Sequence, residues 1–211
     1  MNDNVQNDYS TLKAHYRFTK EDEAFLLEMQ PKIEEFADDF LEGFYEFIWN
    51  FGKTADFLKD EEVLNRHEGK IRQWYLDLFK GTYDITYFLK LYKIGETHVR
   101  LGLPTHYVNA AFNFVRVFTN GKIHTHCKDS ETLTERIQAF EKILDINLDV
   151  LTSSYRQEEM SRYLALSVTE KTLLGWLKKT SSYFNYLLAG ALVVVASFAI
   201  GLFVYDVYLL F

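Results

Sequence analysis

The sequence contains, at residues 94–104, the run Ile-Gly-Glu-Thr-His-Val-Arg-Leu-Gly-Leu-Pro. Its histidine, His98, belongs to a stripe at steps of three or four residues, made of Tyr87, Leu91, Ile94, His98 and Leu101. Residues so spaced share one face of an α-helix, so the stripe predicts a buried face that carries an imidazole. The Gly-Leu-Pro that follows predicts the end of this helix and the start of the next. A single histidine in that position is either a hydrogen-bonded core residue or the ligand of an iron cofactor.

Composition and charge indicate a folded chain and exclude some partners. The 211 residues suffice for one full hydrophobic core plus an appendage, and 17% of them are aromatic. The formal net charge is -7, and no cluster of lysines and arginines is long enough to follow a phosphate backbone, so we expect no nucleic-acid partner. The single cysteine, Cys127, permits no intrachain disulfide, which fits a reducing compartment. Residues 1–10 are polar and lack the basic and apolar stretches of a secretion signal, so we expect no cleavable signal there.

The pattern of apolar residues predicts an all-α fold. The two prolines, Pro31 and Pro104, each lie where a helix could begin, because the first helical position needs no N–H donor. No long alternation of apolar and polar residues predicts a strand. A long buried helix after Pro31 is predicted from an aromatic stripe formed by Phe36, Phe40, Phe44, Phe47 and Phe51.

A second histidine, His67, also lies on an apolar face. Asp60 can cap the helix that carries it. The stripe on this helix consists of Leu64, His67, Ile71, Trp74, Tyr75 and Leu78. Other histidines lack such a setting: His124 and His126 are two residues apart and point to different faces of a helix, so we expect no metal site there.

The C-terminal third differs in kind from the rest of the chain. Periodic apolar positions continue from Ile137 to Leu166, which favours a long projecting or dimerising helix. The segment Tyr186–Tyr205 is almost wholly apolar, and its 20 residues would span about 30 Å as a helix, the thickness of a hydrocarbon core. Lysines precede this segment and no lysine or arginine follows it, so we expect a single-pass anchor with the N-terminal part in the cytoplasm.

Four blocks of the sequence form a recognisable set: Phe44-Tyr45, residues 57–62 (Phe-Leu-Lys-Asp-Glu-Glu), residues 75–84 (Tyr-Leu-Asp-Leu-Phe-Lys-Gly-Thr-Tyr-Asp) and residues 94–104. On these blocks the chain resembles, between roughly Thr11 and Arg162, the sensor globins, the haem-binding domains of bacterial globin-coupled sensors. The last two blocks are the more specific. The resemblance implies a globin fold with an N-terminal helical extension, a b-type haem, and His98 as the proximal iron ligand. It also implies a homodimer through the last two globin helices.

Taken together, these features divide the chain into three parts. Residues 1–162 are expected to form the sensor-globin haem domain, residues 163–182 a helical linker, and residues 183–211 a transmembrane anchor. The expected location is the cytoplasmic face of the bacterial inner membrane.

The resemblance also assigns residues to the far side of the haem. Tyr45 matches a distal tyrosine that can donate a hydrogen bond to bound gas. His67 falls at a distal position where sensor globins frequently carry an apolar residue, and it could either stabilise bound gas or bind iron as a sixth ligand. Phe57, Ile71 and Ile94 are expected to pack against the haem. One departure is Tyr107-Val108, where the family often has Trp-Tyr.

Three functions remain open on these grounds. The leading hypothesis is a membrane-anchored haem sensor of oxygen, another diatomic gas or redox state, which signals to an unidentified partner. An alternative is a haem enzyme that oxidises nitric oxide or removes peroxide with electrons from a separate reductase. A third is a globin fold without cofactor that serves as a tethered interaction bundle.

Overall fold

The computed structural model describes residues 2–52, 57–128 and 130–209; the side chains of residues 2–8, 195, 196 and 198–209 are not described. Within these ranges all regular structure is helical. The helices, in chain order, are α1 (Asn2–His15), α2 (Lys20–Glu35), α3 (Ala37–Ile48), α4 (Glu61–Asp77), α5 (Ile85–Arg100), α6 (Thr105–His126) and α7 (Leu133–Leu209).

Side-chain caps set the start of the helices that carry the two histidines. Asp60 accepts a hydrogen bond from the Val63 N–H at 3.0 Å, and Asp84 accepts one from the Tyr87 N–H at the same distance. Each cap satisfies a backbone donor that the first helical turn leaves unpaired. The predicted cap at Asp60 is therefore confirmed.

The expectation that a helix could begin at Pro31 is wrong. Pro31 lies inside α2, and the break falls instead at Phe36, between α2 and α3. Thr19 and Asp22 form a reciprocal capping box at the start of α2, which begins the helix well before the proline. Pro104 does stand where predicted, directly before α6.

The core lies among the helices of the first 158 residues. Helix α3 packs against α4 and α6, α2 packs against α3 and α4, and α1 packs against α5. At the centre, the fully buried rings of Phe40 and Tyr75 stack with centroids 3.8 Å apart. This packing brings α3, which carries Tyr45, alongside α4, which carries His67.

Two compact units divide the chain, residues 1–158 and 159–211. In the second unit α7 runs to Leu209, and its described apolar side chains, such as Tyr163, Leu173 and Trp176, are exposed. Among the described residues, no helix is long and apolar enough to cross a membrane. The anchor predicted for residues 183–211 therefore has no support from them; its side chains from 198 onward lie outside the described part.

Candidate functional site

His98 lies in the last turn of α5, at the end of the predicted stripe. Tyr87 and Leu91 on that stripe are buried in the core, whereas Ile94 and His98 are half-buried. Leu101 lies just past the end of the helix and is exposed, so the prediction that it shares the buried face is wrong. The stripe thus runs from the closed core to a partly open edge at His98.

The turn that follows His98 is closed by backbone hydrogen bonds. The Leu103 N–H donates to the carbonyl oxygen of His98 at 3.0 Å, and the Gly102 N–H donates to that of Val99 at 2.9 Å. Gly102 has φ +67°, a left-handed conformation that glycine adopts without a steric penalty. As predicted, the glycine ends the helix, and it does so directly beyond the histidine.

The ring of His98 has an unpaired polar atom. Its Nδ1 is buried and has no hydrogen-bond partner among the described residues. Burial, and to a lesser extent the nearby His67, lowers the pKa of His98 to about 4. The imidazole is therefore neutral at pH 7, which is the form that binds metals. A core histidine held by hydrogen bonds would not leave this nitrogen unsatisfied.

His67 on α4 is paired with Tyr45 on α3. The Tyr45 hydroxyl oxygen lies 2.6 Å from Nδ1 of His67, and Tyr45 is buried. Burial, with a smaller effect of Lys70, lowers the pKa of His67 to about 4. Burial, with a smaller effect of Glu68, raises the pKa of the Tyr45 hydroxyl well above its ordinary value. Both groups are neutral at pH 7, and the engaged Nδ1 leaves Nε2 of His67 as the nitrogen available to a ligand.

His67 and His98 come from different helices, and the charge of His67 contributes to the lowered pKa of His98. Neutral imidazoles are commonly metal ligands, and two of them near one another can bind a metal from opposite sides. The sequence predicted both histidines on apolar faces, and in the structure both are half-buried.

The remaining predicted residues are less closely tied to this place. Ile71 lies four residues after His67 and Ile94 four residues before His98, so each shares a helix face with its histidine, and both are half-buried against the core. Phe57 is 37% exposed. Tyr107, at the departure from the family pattern, stacks on Phe51 with centroids 4.8 Å apart.

A buried polar junction near His67 and His98 was not predicted from the sequence. Asn147 of α7 accepts hydrogen bonds from Trp74 Nε1 of α4 at 3.2 Å and from the Tyr87 hydroxyl of α5 at 3.0 Å. The signal in the sequence is slight: one amide within the otherwise apolar stripe of α7. Only the positions of its partners, 73 and 60 residues away, show its importance.

An all-helical fold that carries two half-buried, neutral imidazoles on different helices has the features expected of a haem globin. The model of the family described as Protoglobin matches residues 6–161. The globin domain of the Geobacter sulfurreducens globin-coupled sensor is 44% identical, with 70% of this chain and 97% of that chain covered and a TM-score of 0.67. The chain belongs to the Protoglobin family.

A more distant likeness supports the fold alone. The ferrous form of the globin domain of Escherichia coli DosC is 17% identical, with 71% of this chain and 99% of that chain covered and a TM-score of 0.55. Its ferric form is 18% identical, with 64% and 97% covered and a TM-score of 0.50. The predicted all-α sensor-globin fold is confirmed.

Haem is the cofactor of this family and of this chain, as the sequence predicted. The residues at the site fit it: His98 offers a neutral imidazole with no competing hydrogen bond at Nδ1, and half-buried Ile71 and Ile94 offer apolar surface to a macrocycle. The alternative of a cofactor-free globin bundle is therefore wrong.

Proposed function

We propose that the protein is a haem-based sensor of a diatomic gas such as O2, or of redox state, in which His98 holds the iron and Tyr45 and His67 control its other face. The observation that carries the proposal is the Tyr45–His67 hydrogen bond together with the buried, unpaired Nδ1 of His98, whose pKa the charge of His67 helps to lower. The similarity to the globin domain of the Geobacter sulfurreducens globin-coupled sensor supports a sensing role. When bound through one imidazole, haem supplies an open coordination position at which a small gas can bind.

The Tyr45–His67 hydrogen bond has two forms, and each prepares the site for a different state. If the Tyr45 hydroxyl donates to Nδ1, the imidazole proton is on Nε2, where it can donate a hydrogen bond to a gas. If Nδ1–H donates to Tyr45, Nε2 carries a lone pair that can bind iron, and the hydroxyl proton is free to donate elsewhere. The pair can thus either assist a gas or replace it.

This arrangement refines the role predicted for Tyr45. The sequence predicted a hydroxyl that donates directly to bound gas, whereas in the structure the hydroxyl bonds to His67. We propose that Tyr45 acts on the gas site with His67 rather than alone. Exchange between external gas and an internal imidazole gives two states of the distal face, which is what a sensor requires.

Haem spectra test the assignment of both histidines. His98→Ala should abolish stoichiometric haem uptake, whereas His67→Ala should retain haem and yield a five-coordinate ferrous spectrum. The control is His124→Ala, in an exposed position on α6, which should match the parent protein. Full haem occupancy with native iron coordination in His98→Ala would overturn the assignment of the proximal ligand.

Turnover assays separate sensing from the enzymatic alternative. Rapid, catalytic conversion of nitric oxide or peroxide with an external reductant would replace the sensor proposal. Slow turnover together with a gas-dependent change in structure would support it.

We further propose that the chain is anchored at the cytoplasmic face of the bacterial inner membrane and forms a homodimer. The apolar length of Tyr186–Tyr205 and the lysines before it, Lys171, Lys178 and Lys179, support the anchor and its orientation. The resemblance to sensor globins supports dimerisation through α6 and the globin part of α7. Recovery of the full chain in the membrane fraction, and of a truncation at residue 182 in the soluble fraction, tests the anchor. Sedimentation of that truncation tests the dimer.

A further inference from the structure

Asn147 is a buried polar side chain whose amide oxygen and nitrogen both form hydrogen bonds. Its exposed fraction is 0%. Its Oδ1 accepts hydrogen bonds from Trp74 Nε1 and from the Tyr87 hydroxyl. Its Nδ2 lies 2.8 Å from the Tyr87 hydroxyl oxygen and 2.7 Å from the carbonyl oxygen of Ile143, to both of which it can donate. One amide therefore joins α7 to α4 and to α5.

The partners of Asn147 share helix faces with the two histidines. Trp74 lies seven residues after His67 on α4, close to two helical turns. Tyr87 lies eleven residues before His98 on α5, close to three turns. On each helix, the histidine and the residue that bonds to Asn147 therefore lie on the same side. A shift of either partner is transmitted along a rigid helix to an imidazole.

A second contact holds the His98 end of α5 against the same face of α7. A Cβ atom added to Gly95 would overlap the carbonyl oxygen of Leu151 and lie 2.8 Å from Ser154 Oγ. Ser154 Oγ donates a hydrogen bond to the carbonyl oxygen of Tyr92 at 3.1 Å. Asn147, Leu151 and Ser154 follow at steps of four and three, so a single face of α7 supports α5 at both ends.

We propose that Asn147 is a positioning residue for haem ligation: through Trp74 and Tyr87 it holds α4 and α5 at the separation that decides whether His67 can reach iron bound at His98. This inference rests on the proposed function. It adds a determinant of iron coordination that lies on α7 and is held in place by hydrogen bonds to both histidine-bearing helices.

The chemistry of the junction favours a positioning role over simple core filling. Burial of an amide costs free energy that a leucine of similar size would not, and the cost is offset only when each polar atom is paired. Hydrogen bonds are directional, so they define the register of three helices where apolar side chains would tolerate small slides. At Asn147 the described hydrogen bonds use both Oδ1 and Nδ2.

The experiment compares the hydrogen bonds of Asn147 with a matched buried hydrogen bond that involves neither α5 nor α7. Trp74→Phe and Tyr87→Phe keep an aromatic ring and remove one donor each, and Asn147→Leu removes the amide. The control is Thr119→Val, which removes the 3.3 Å contact between Tyr75 and Thr119, a fully buried pair that joins α4 to α6. Each variant of the full chain is loaded with haem, and its iron coordination is measured by absorption spectra together with its reduction potential and its thermal unfolding.

We expect each junction variant to change the ratio of six- to five-coordinate iron by roughly three- to tenfold, the size of one buried hydrogen bond. Thr119→Val should lower the unfolding temperature and leave the ratio and the potential unchanged. In a His67→Ala background the junction variants should no longer alter coordination. Trp74→Phe and Tyr87→Phe are conservative enough to test the proposal if Asn147→Leu fails to fold.

The outcomes distinguish this inference from the proposed function. If His67→Ala alters coordination but the junction variants behave like Thr119→Val, Asn147 is structural only and the inference is overturned, while the proposed function stands. If the parent chain binds no haem, or His67→Ala changes nothing, the proposed function falls and the inference falls with it.

Discussion

The Tyr45 hydroxyl and Nδ1 of His67 lie 2.6 Å apart, although 22 residues separate them in the sequence. The contact exists because α3 packs against α4. It makes the two residues one hydrogen-bonded unit, so a change to either one alters the chemistry offered by the other.

Removal of the Tyr45 hydroxyl should therefore act through His67. In Tyr45→Phe the imidazole loses the partner that orients its ring, and we expect the equilibrium between six- and five-coordinate iron to shift by roughly three- to tenfold. Absorption and resonance Raman spectra of ferric and ferrous protein measure the shift. In a His67→Ala background the same substitution should leave coordination unchanged, and equal effects in both backgrounds would show that Tyr45 acts without His67.

Substitution of Gly95 should force α5 away from α7. A methyl group there meets the backbone of Leu151, which cannot yield as a flexible side chain can, so Gly95→Ala should cost about 1–3 kcal/mol in the free energy of unfolding. The matched control is Gly69→Ala on α4, where a Cβ meets nothing within 4 Å. There we expect a gain of about 0.5–1 kcal/mol from helix propensity. Chemical denaturation measures the free energy of unfolding of both variants. Equal changes in the two would contradict the close approach of α5 to α7 at Gly95.

The cap at Asp60 should matter most to the helix that carries His67. Asp60→Ala removes the acceptor for the Val63 N–H and should lower the free energy of unfolding by about 1 kcal/mol, whereas Asp60→Asn keeps a cap and should lower it less. Hydrogen exchange of the first turn of α4 reports the local effect. Equal protection of that turn in both variants would show that tertiary packing alone holds it.

Stability should fall in acid in part because of Glu23. Burial raises the pKa of this carboxyl, but hydrogen bonds and charge from Lys13 and Lys20 outweigh burial and leave the pKa below its ordinary value of 4.5. A carboxyl whose pKa is depressed on folding stabilises the native state above the unfolded-state pKa, and this contribution is lost as the pH falls through the lower folded-state value.

The prediction for Glu23 is tested by measuring how the free energy of unfolding of the variant and of the parent protein changes between about pH 6 and pH 3. Glu23→Gln should be less stable than the parent protein at pH 6, and the difference should narrow toward pH 3. Glu35→Gln serves as the control, because the pair of Glu35 with Lys32 is exposed and contributes little. A pH-independent difference for Glu23→Gln would exclude a depressed pKa.

The helices and the histidines could be predicted because their signals are local. Apolar residues three and four apart reveal the faces that bear His67 and His98, and the cap at Asp60 and the break at Gly102 are visible in a few adjacent residues. The error at Pro31 arose for the same reason: a proline that can start a helix was tolerated inside one whose capping box lies twelve residues earlier.

By itself, then, the sequence determined the fold class and the helix faces that bear His67 and His98, since these follow from spacing along one chain segment. Its resemblance to the sensor globins implied the role of the two histidines as candidate iron ligands. Only the tertiary structure decided that Tyr45 bonds to His67, that Asn147 joins Trp74 to Tyr87, and that Gly95 lies against the backbone of α7. Each of these contacts joins different helices. Their partners depend on how the helices pack, and no local pattern of residues encodes that arrangement.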